Sequence, residues 1–177
     1  MTPARLVPLA VLLVWPLVAS CGEAGRNLTC RSTNALVLAA QSVPTASMVP
    51  CVQLLPAGWS HGRTDVRTGR TRFTLNSDRA GVSAVRVTLA ERCDTSRATE
   101  IPTDELGTRR FEQVEVVTPG FAGTRFYTFP GGCVSYQFRF QAEGRVLVNE
   151  ASLALTFVTR EKLAEDVRRL SDGRQRL

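Results

Sequence analysis

The chain has 177 residues, 44% of them hydrophobic and 21% charged, with a net charge of +6 at neutral pH. That length holds one domain, or one domain with a targeting segment, and the composition excludes collagen-like, coiled-coil and wholly disordered chains. The only long apolar run is N-terminal, which excludes a multi-pass membrane protein.

Residues 1–5 carry Arg5 and no acid, residues 6–18 are apolar, and Ala19-Ser20-Cys21-Gly22 follows. A basic start, an apolar middle and small residues at the end form the order of a secretory signal. The apolar run is shorter than a bilayer-spanning helix requires, and Pro8 and Pro16 interrupt it. The segment Val18-Ala19-Ser20-Cys21 resembles the lipobox of bacterial lipoproteins. There a cysteine thiol is alkylated by diacylglycerol and the chain is cut before it. The resemblance covers this segment alone. It implies a signal peptide over 1–20, a lipid on Cys21, a tether over 21–29, and residence on the outer face of the bacterial cytoplasmic membrane.

Five cysteines are an odd number for an exported chain. With Cys21 assigned to lipid, Cys30, Cys51, Cys93 and Cys133 remain, and an oxidising compartment favours two disulfides. Three pairings are open, and Cys30–Cys51 with Cys93–Cys133 is preferred because each links neighbouring segments. No Cys-x-x-Cys spacing suggests a redox site or a zinc ribbon. Lys162 is the only lysine, an arginine bias that reads as genome composition.

A single domain is expected over 30–173. Residues 32–41 combine capping candidates with an alanine-leucine run and predict a short helix. Pro44, Pro50 and Pro56 force extended or turning backbone as far as Trp59. The polar, arginine-rich stretch 60–70 reads as an exposed loop. Period-two alternation then marks strands through Phe73 and Leu75, Val85 to Leu89, Val114 and Val116, Val134 to Phe140, and Leu153 to Phe157. Glu143-Gly144 reads as the turn of a hairpin whose return strand carries Val146 and Val148. Thr159 is a helix cap, Leu163, Val167 and Leu170 form one stripe, and Gly173 is a stop, with a frayed tail over 174–177. The fold class is therefore α+β, mainly antiparallel β. Six or seven strands form a sandwich-like sheet, with a short N-terminal helix and a C-terminal helix. No strand-helix alternation or glycine-rich phosphate loop supports a nucleotide-binding fold.

His61 is the only histidine, and its neighbour Ser60 offers a nucleophile; a surface-loop histidine is the ordinary alternative. Asp94, Glu100, Asp104 and Glu105 offer an acid pair, or simply solvated loop charges. Neither pattern has the spacing of a metal site, and no cofactor is expected. Aromatics Phe126, Tyr127, Phe129, Tyr136, Phe138 and Phe140 suit a core better than a ligand groove. More suggestive is a repeated grammar of glycine, then threonine and arginine, then an aromatic, at Gly69, Gly107 and Gly123. It places Arg70, Arg72, Arg109, Arg110 and Arg125 at strand entrances, as a rim able to grip phosphates or carboxylates if the entrances converge.

The functional expectation is a lipid-anchored, non-enzymatic envelope module that binds a membrane or envelope protein partner. The alternatives are a binder of anionic lipid or wall polymer through the arginine rim, and an extracytoplasmic hydrolase. Nucleic acid is not an expected partner, because an exported chain does not meet it. Cys21→Ser is expected to release the protein from the membrane fraction and to remove the lipid mass; unaltered fractionation and unaltered mature mass would refute the anchor.

Overall fold

A computed structural model of the protein describes residues 27–174 and 177. The signal segment, Cys21, the tether through residue 26 and residues 175–176 of the tail lie outside them. The described chain runs α1 (Thr33–Ser42), β1 (Met48–Val52), β2 (Trp59–Arg67), β3 (Arg70–Ser77), β4 (Gly81–Ala90), β5 (Thr99–Ile101), β6 (Arg109–Val116), β7 (Phe121–Phe129), β8 (Gly132–Phe140), α2 (Gly144–Ala154), β9 (Leu155–Thr159) and α3 (Arg160–Leu170). The fold is α+β with a large antiparallel sheet, as the alternation predicts.

Seven strands form that sheet in the order β2-β3-β4-β8-β7-β6-β5. Registers such as Phe73↔Val87↔Tyr136 and Leu75↔Val85↔Phe138 align the apolar residues of neighbouring strands on one face. This covered face holds Phe73, Leu75, Val87, Leu89, Tyr136 and Phe138, all nearly inaccessible. The second layer of the domain consists of the helices and the β1-β9 ribbon. Phe157 of that ribbon meets Tyr127, Phe129 and Tyr136, which are core together with Phe138 and Phe140, whereas Phe126 lies on the opposite face, in register with Ser135 and Phe111.

Three local readings change. The stretch read as a loop over 60–70 is mostly β2, a full edge strand. Its alternation is broken by a bulge between His61 and Thr64, which hides the period-two signal. The hairpin read at Glu143-Gly144 is helix α2, with Leu147, Val148, Ala151 and Ala154 buried at helical spacing. Gly144 is required there by contact, because a Cβ would lie 2.4 Å from the Gly120 carbonyl oxygen. Consequently the strand read from Leu153 begins only at Leu155, and Leu153 is exposed on the last turn of α2. The proline-rich stretch does run extended, as β1, paired with β9.

The terminal helices follow the predicted signals closely. The Thr159 hydroxyl accepts from the Lys162 N–H at 3.2 Å, capping α3, and Leu163 and Val167 face the core. Leu170 ends the stripe exposed, while Gly173 has the positive φ of a helix stop. Helix α1 has no side-chain cap at Ser32, so its residues are held by burial of Ala35, Leu36, Ala39 and Ala40. Folded structure starts before Cys30: Leu28 is buried, and the Val52 N–H donates to its carbonyl at 2.8 Å.

Both preferred disulfides are present. Cys30–Cys51 ties the entering chain to β1, and Cys93–Cys133 ties the segment after β4 to the start of β8. By loop-closure entropy they contribute about 3 and about 4 kcal/mol, from constraint of the unfolded chain.

Arg160 joins the two ends of the second layer. Its Nε donates to the Ala46 carbonyl at 2.8 Å, and its Nη2 donates to the carbonyls of Ala40 at 2.7 Å and Val43 at 3.0 Å. These carbonyls lie at and just beyond the α1 C-terminus, where a cation is favoured. Arg160→Ala is expected to lower stability by about 2–4 kcal/mol in urea unfolding. Arg160→Lys recovers only part, because an ammonium cannot span three carbonyls as a planar fork does. A loss below about 0.5 kcal/mol would show that the clamp is solvated rather than structural.

Candidate anion-binding groove

The opposite face of the sheet is open and polar over β2, β3 and β4, and carries Phe126 and Phe111 on β7 and β6. Registers Arg72↔Thr88 and Thr74↔Arg86 place these four side chains on it, across β3 and β4. Edge strand β2 adds Asp65, opposite Arg72, and Arg67, opposite Arg70. The bulge in β2 brings Arg63 to the same face, beside Thr74, whose hydroxyl accepts the Arg63 N–H at 3.0 Å. Gly62 makes this close approach possible: a Cβ would lie 2.3 Å from the Thr74 hydroxyl.

Together these residues line a groove of about 330 Å³, with Arg63, Arg67, Arg72 and Arg86 on its walls and Asp65 among them. Arg70 adjoins it. Asp65 is shared, 3.1 Å from Arg67 and 4.0 Å from Arg70. Among the described residues, no carboxylate lies within ion-pair distance of Arg63, Arg72 or Arg86. Arg72 instead bonds Thr88 at 3.4 Å, and Arg86 bonds Gln137 at 3.4 Å. Desolvation first, then the charges of Arg70 and Arg86, pull Arg72 below the ordinary guanidinium range, and Asp65 opposes this. Arginine nevertheless stays protonated at any physiological pH. The groove therefore holds four mutually repelling guanidiniums and one carboxylate, with a fifth guanidinium, that of Arg70, beside it. An anion entering it relieves that repulsion and gains bidentate hydrogen bonds.

The five arginines expected at the rim divide. Arg70 and Arg109 do share one end and one face of the sheet, through the row Arg70↔Ala90↔Cys133↔Thr128↔Arg109. Four strand spacings separate them, roughly 19 Å. Arg109 also makes a two-point pair with Glu100, at 2.9 and 2.7 Å, and lies over the Phe111 ring. Arg110 and Arg125 point to the other face. Arg125 is structural: it bonds Glu112 at 2.6 Å and Ser152 at 2.7 Å, tying β7 to β6 and α2. The third glycine of the grammar, Gly123, is interior to β7 rather than at its entrance, whereas Gly69 and Gly107 have the positive φ of turns. Arg63, Arg67 and Arg86 were missed by the grammar. The available signal was hairpin register, because the turn after Ser77 sets Arg72 and Thr74 against Thr88 and Arg86.

The hydrolase residues do not form a constellation. Ser60 and His61 are consecutive in β2 and point to opposite faces. No carboxylate reaches the His61 ring among the described residues. Asp94 caps its own turn through the Ser96 N–H at 3.0 Å, and burial pushes Glu105 above the usual carboxylate range. Comparison with known proteins adds no relative: no family model, curated protein or solved structure matches this chain.

Burial lowers His61 below its ordinary 6.5. On acidification the unfolded chain therefore takes up this proton first. The stability contributed by neutral His61 is complete above about pH 6.5, and it is lost as pH falls from there through the folded-state value. Glu105 has the opposite sign, its contribution fading as pH rises through its raised value. The wild type is expected to lose stability relative to His61→Gln between about pH 7 and 5 in urea unfolding; parallel pH profiles would show that His61 is as hydrated as free imidazole.

Proposed function

We propose that this protein is a lipid-anchored, non-enzymatic binding module of the bacterial envelope, and that its ligand is an anion held in the Arg63–Arg67–Arg72–Arg86 groove. The observation that carries this reading is the imbalance of four guanidiniums in the groove, with Arg70 beside it, against the single carboxylate of Asp65. By contrast, Arg125 pairs with Glu112, Arg109 with Glu100, and Arg79 with Glu143 and Glu150. The anchor reading is supported by the lipobox-like Cys21 and by two disulfides suited to an oxidising compartment. Among the described residues no helix is long and apolar enough to cross a membrane.

A protein-partner reading has one observation in its favour. Strand β5 covers only Arg110 to Glu112 of β6, and Val114, Val116 and Val117 are exposed beyond it. That edge offers unpaired backbone groups to an added strand.

The groove is tested with detergent-solubilised protein and dextran sulfate as the probe. Arg72→Ala with Arg86→Ala is expected to weaken binding about tenfold or more and to flatten its dependence on salt, because fewer screened charge contacts remain. Arg168→Ala, on exposed α3, serves as the control. Loss of binding on Arg109→Ala with Arg110→Ala instead would move the site to β6, and undiminished binding by the groove variant would remove it. In-cell cross-linking followed by purification at low and high salt separates the two readings: a salt-resistant protein points to the β6 edge, a salt-labile anion to the groove.

A further inference from the structure

The groove does not end at β4. The open-face register continues as Thr74↔Arg86↔Gln137↔Thr124↔Gln113 across β3, β4, β8, β7 and β6. Beside it runs Arg72↔Thr88↔Ser135. Gln113, Thr124, Gln137 and Ser135 are half-buried. Among the described residues, the side chains of Gln113, Thr124 and Ser135 make no hydrogen bond, and Gln137 makes only that to Arg86. A second cavity of about 350 Å³ opens beside this strip, lined by Thr124, Gln137, Arg139 and Glu115 together with Phe121 and Phe140. Gln137 belongs to its wall and to the bond with Arg86, so one residue joins the two depressions. Arg139 has no carboxylate within ion-pair distance among the described residues, and Glu115 lines the same cavity, so this depression carries one charge of each sign.

We infer that the ligand is an extended anionic glycan lying across the sheet, with acidic groups in the arginine groove and sugar hydroxyls on the Gln137–Thr124–Gln113 strip. This rests on the reading of the groove as an anion site and names the ligand class. The strip spans several strand spacings, on the order of 15–20 Å from Thr74 to Gln113, longer than one phosphate or one lipid headgroup. Its amides and hydroxyls both donate and accept, which matches a sugar hydroxyl. A lipid tail would leave these groups unpaired at a cost. A simple anion would use the arginines and ignore the strip.

The test titrates the detergent-solubilised full chain with oligogalacturonides of about two and about six units. Inorganic phosphate serves as competitor, and polyglutamate of matching charge as a non-sugar polyanion. The longer oligosaccharide is expected to bind at least about tenfold more tightly than the shorter one. Gln113→Ala with Thr124→Ala, two positions with no bond to a groove arginine, is expected to weaken the longer one about fivefold while leaving phosphate competition unchanged. Both positions are half-buried, and circular dichroism verifies that the variant folds. Equal affinity for the two lengths, indifference of the longer one to the double variant, or equally tight strip-dependent binding of polyglutamate would overturn the glycan assignment. Failure of the groove itself looks different: Arg72→Ala with Arg86→Ala then leaves every anion unaffected, or no anion binds at all, and both inferences fall together.

Discussion

The central constraint is that a seven-stranded sheet is covered on one face only. The helices and a short ribbon bury the side chains of one face, so the apolar residues of β3, β4 and β8 fall on that parity. On these strands the other parity is left mostly to polar residues, whereas β6 and β7 set Phe111 and Phe126 on it. Arg72 and Arg86 therefore stand on the open face because Phe73 and Val87 stand on the covered one. The candidate groove lies on the complement of the core. Its position is as firmly determined as the packing of Tyr136 and Phe138, the largest side chains beneath it.

Holding the cover in place falls to contacts that are few and specific. Arg160 binds three carbonyls at and beyond the α1 terminus, and Glu150 accepts from Trp59 at 2.8 Å and from Arg79, tying α2 to β2 and to the β3-β4 turn. The two disulfides act on different layers, one at the ribbon and the other at the sheet. Cys30–Cys51 reinforces a segment already bonded to β1 through Leu28, Cys30 and Val52, and Cys93–Cys133 pins the chain leaving β4 to β8.

Residue type alone does not assign roles to arginines. Arg125 and Arg72 share the same local pattern, an arginine next to an aromatic in a strand. Arg125 meets Glu112 and Ser152 in a nearly closed site and serves the fold. Arg72 meets Arg70 and Arg86 and is left with charge to spare. The difference lies in what the neighbouring strands bring opposite each one. Strand order brings β2 and its bulge to β3, so that Arg63 and Arg67 join Arg72, although Arg63 was read as part of a loop.

Much of the architecture was legible in the sequence. Alternation along Val85 to Leu89 and Val134 to Phe140, the Thr159 cap, the Gly173 stop and the disulfide pairing are all local or nearly local signals, and each is present in the fold. Readings failed where a local pattern had two physical solutions. A bulge erased the period of β2, and a short apolar run after Gly144 served a helix as well as a strand until packing against Gly120 selected the helix. By itself the sequence determined the alternation of β4 and β8, the start and stop of the C-terminal helix, and that arginine would dominate the basic residues. Only the tertiary structure decided which arginines meet, because a charge cluster is a property of strand order and register, and these depend on contacts between residues far apart in the chain.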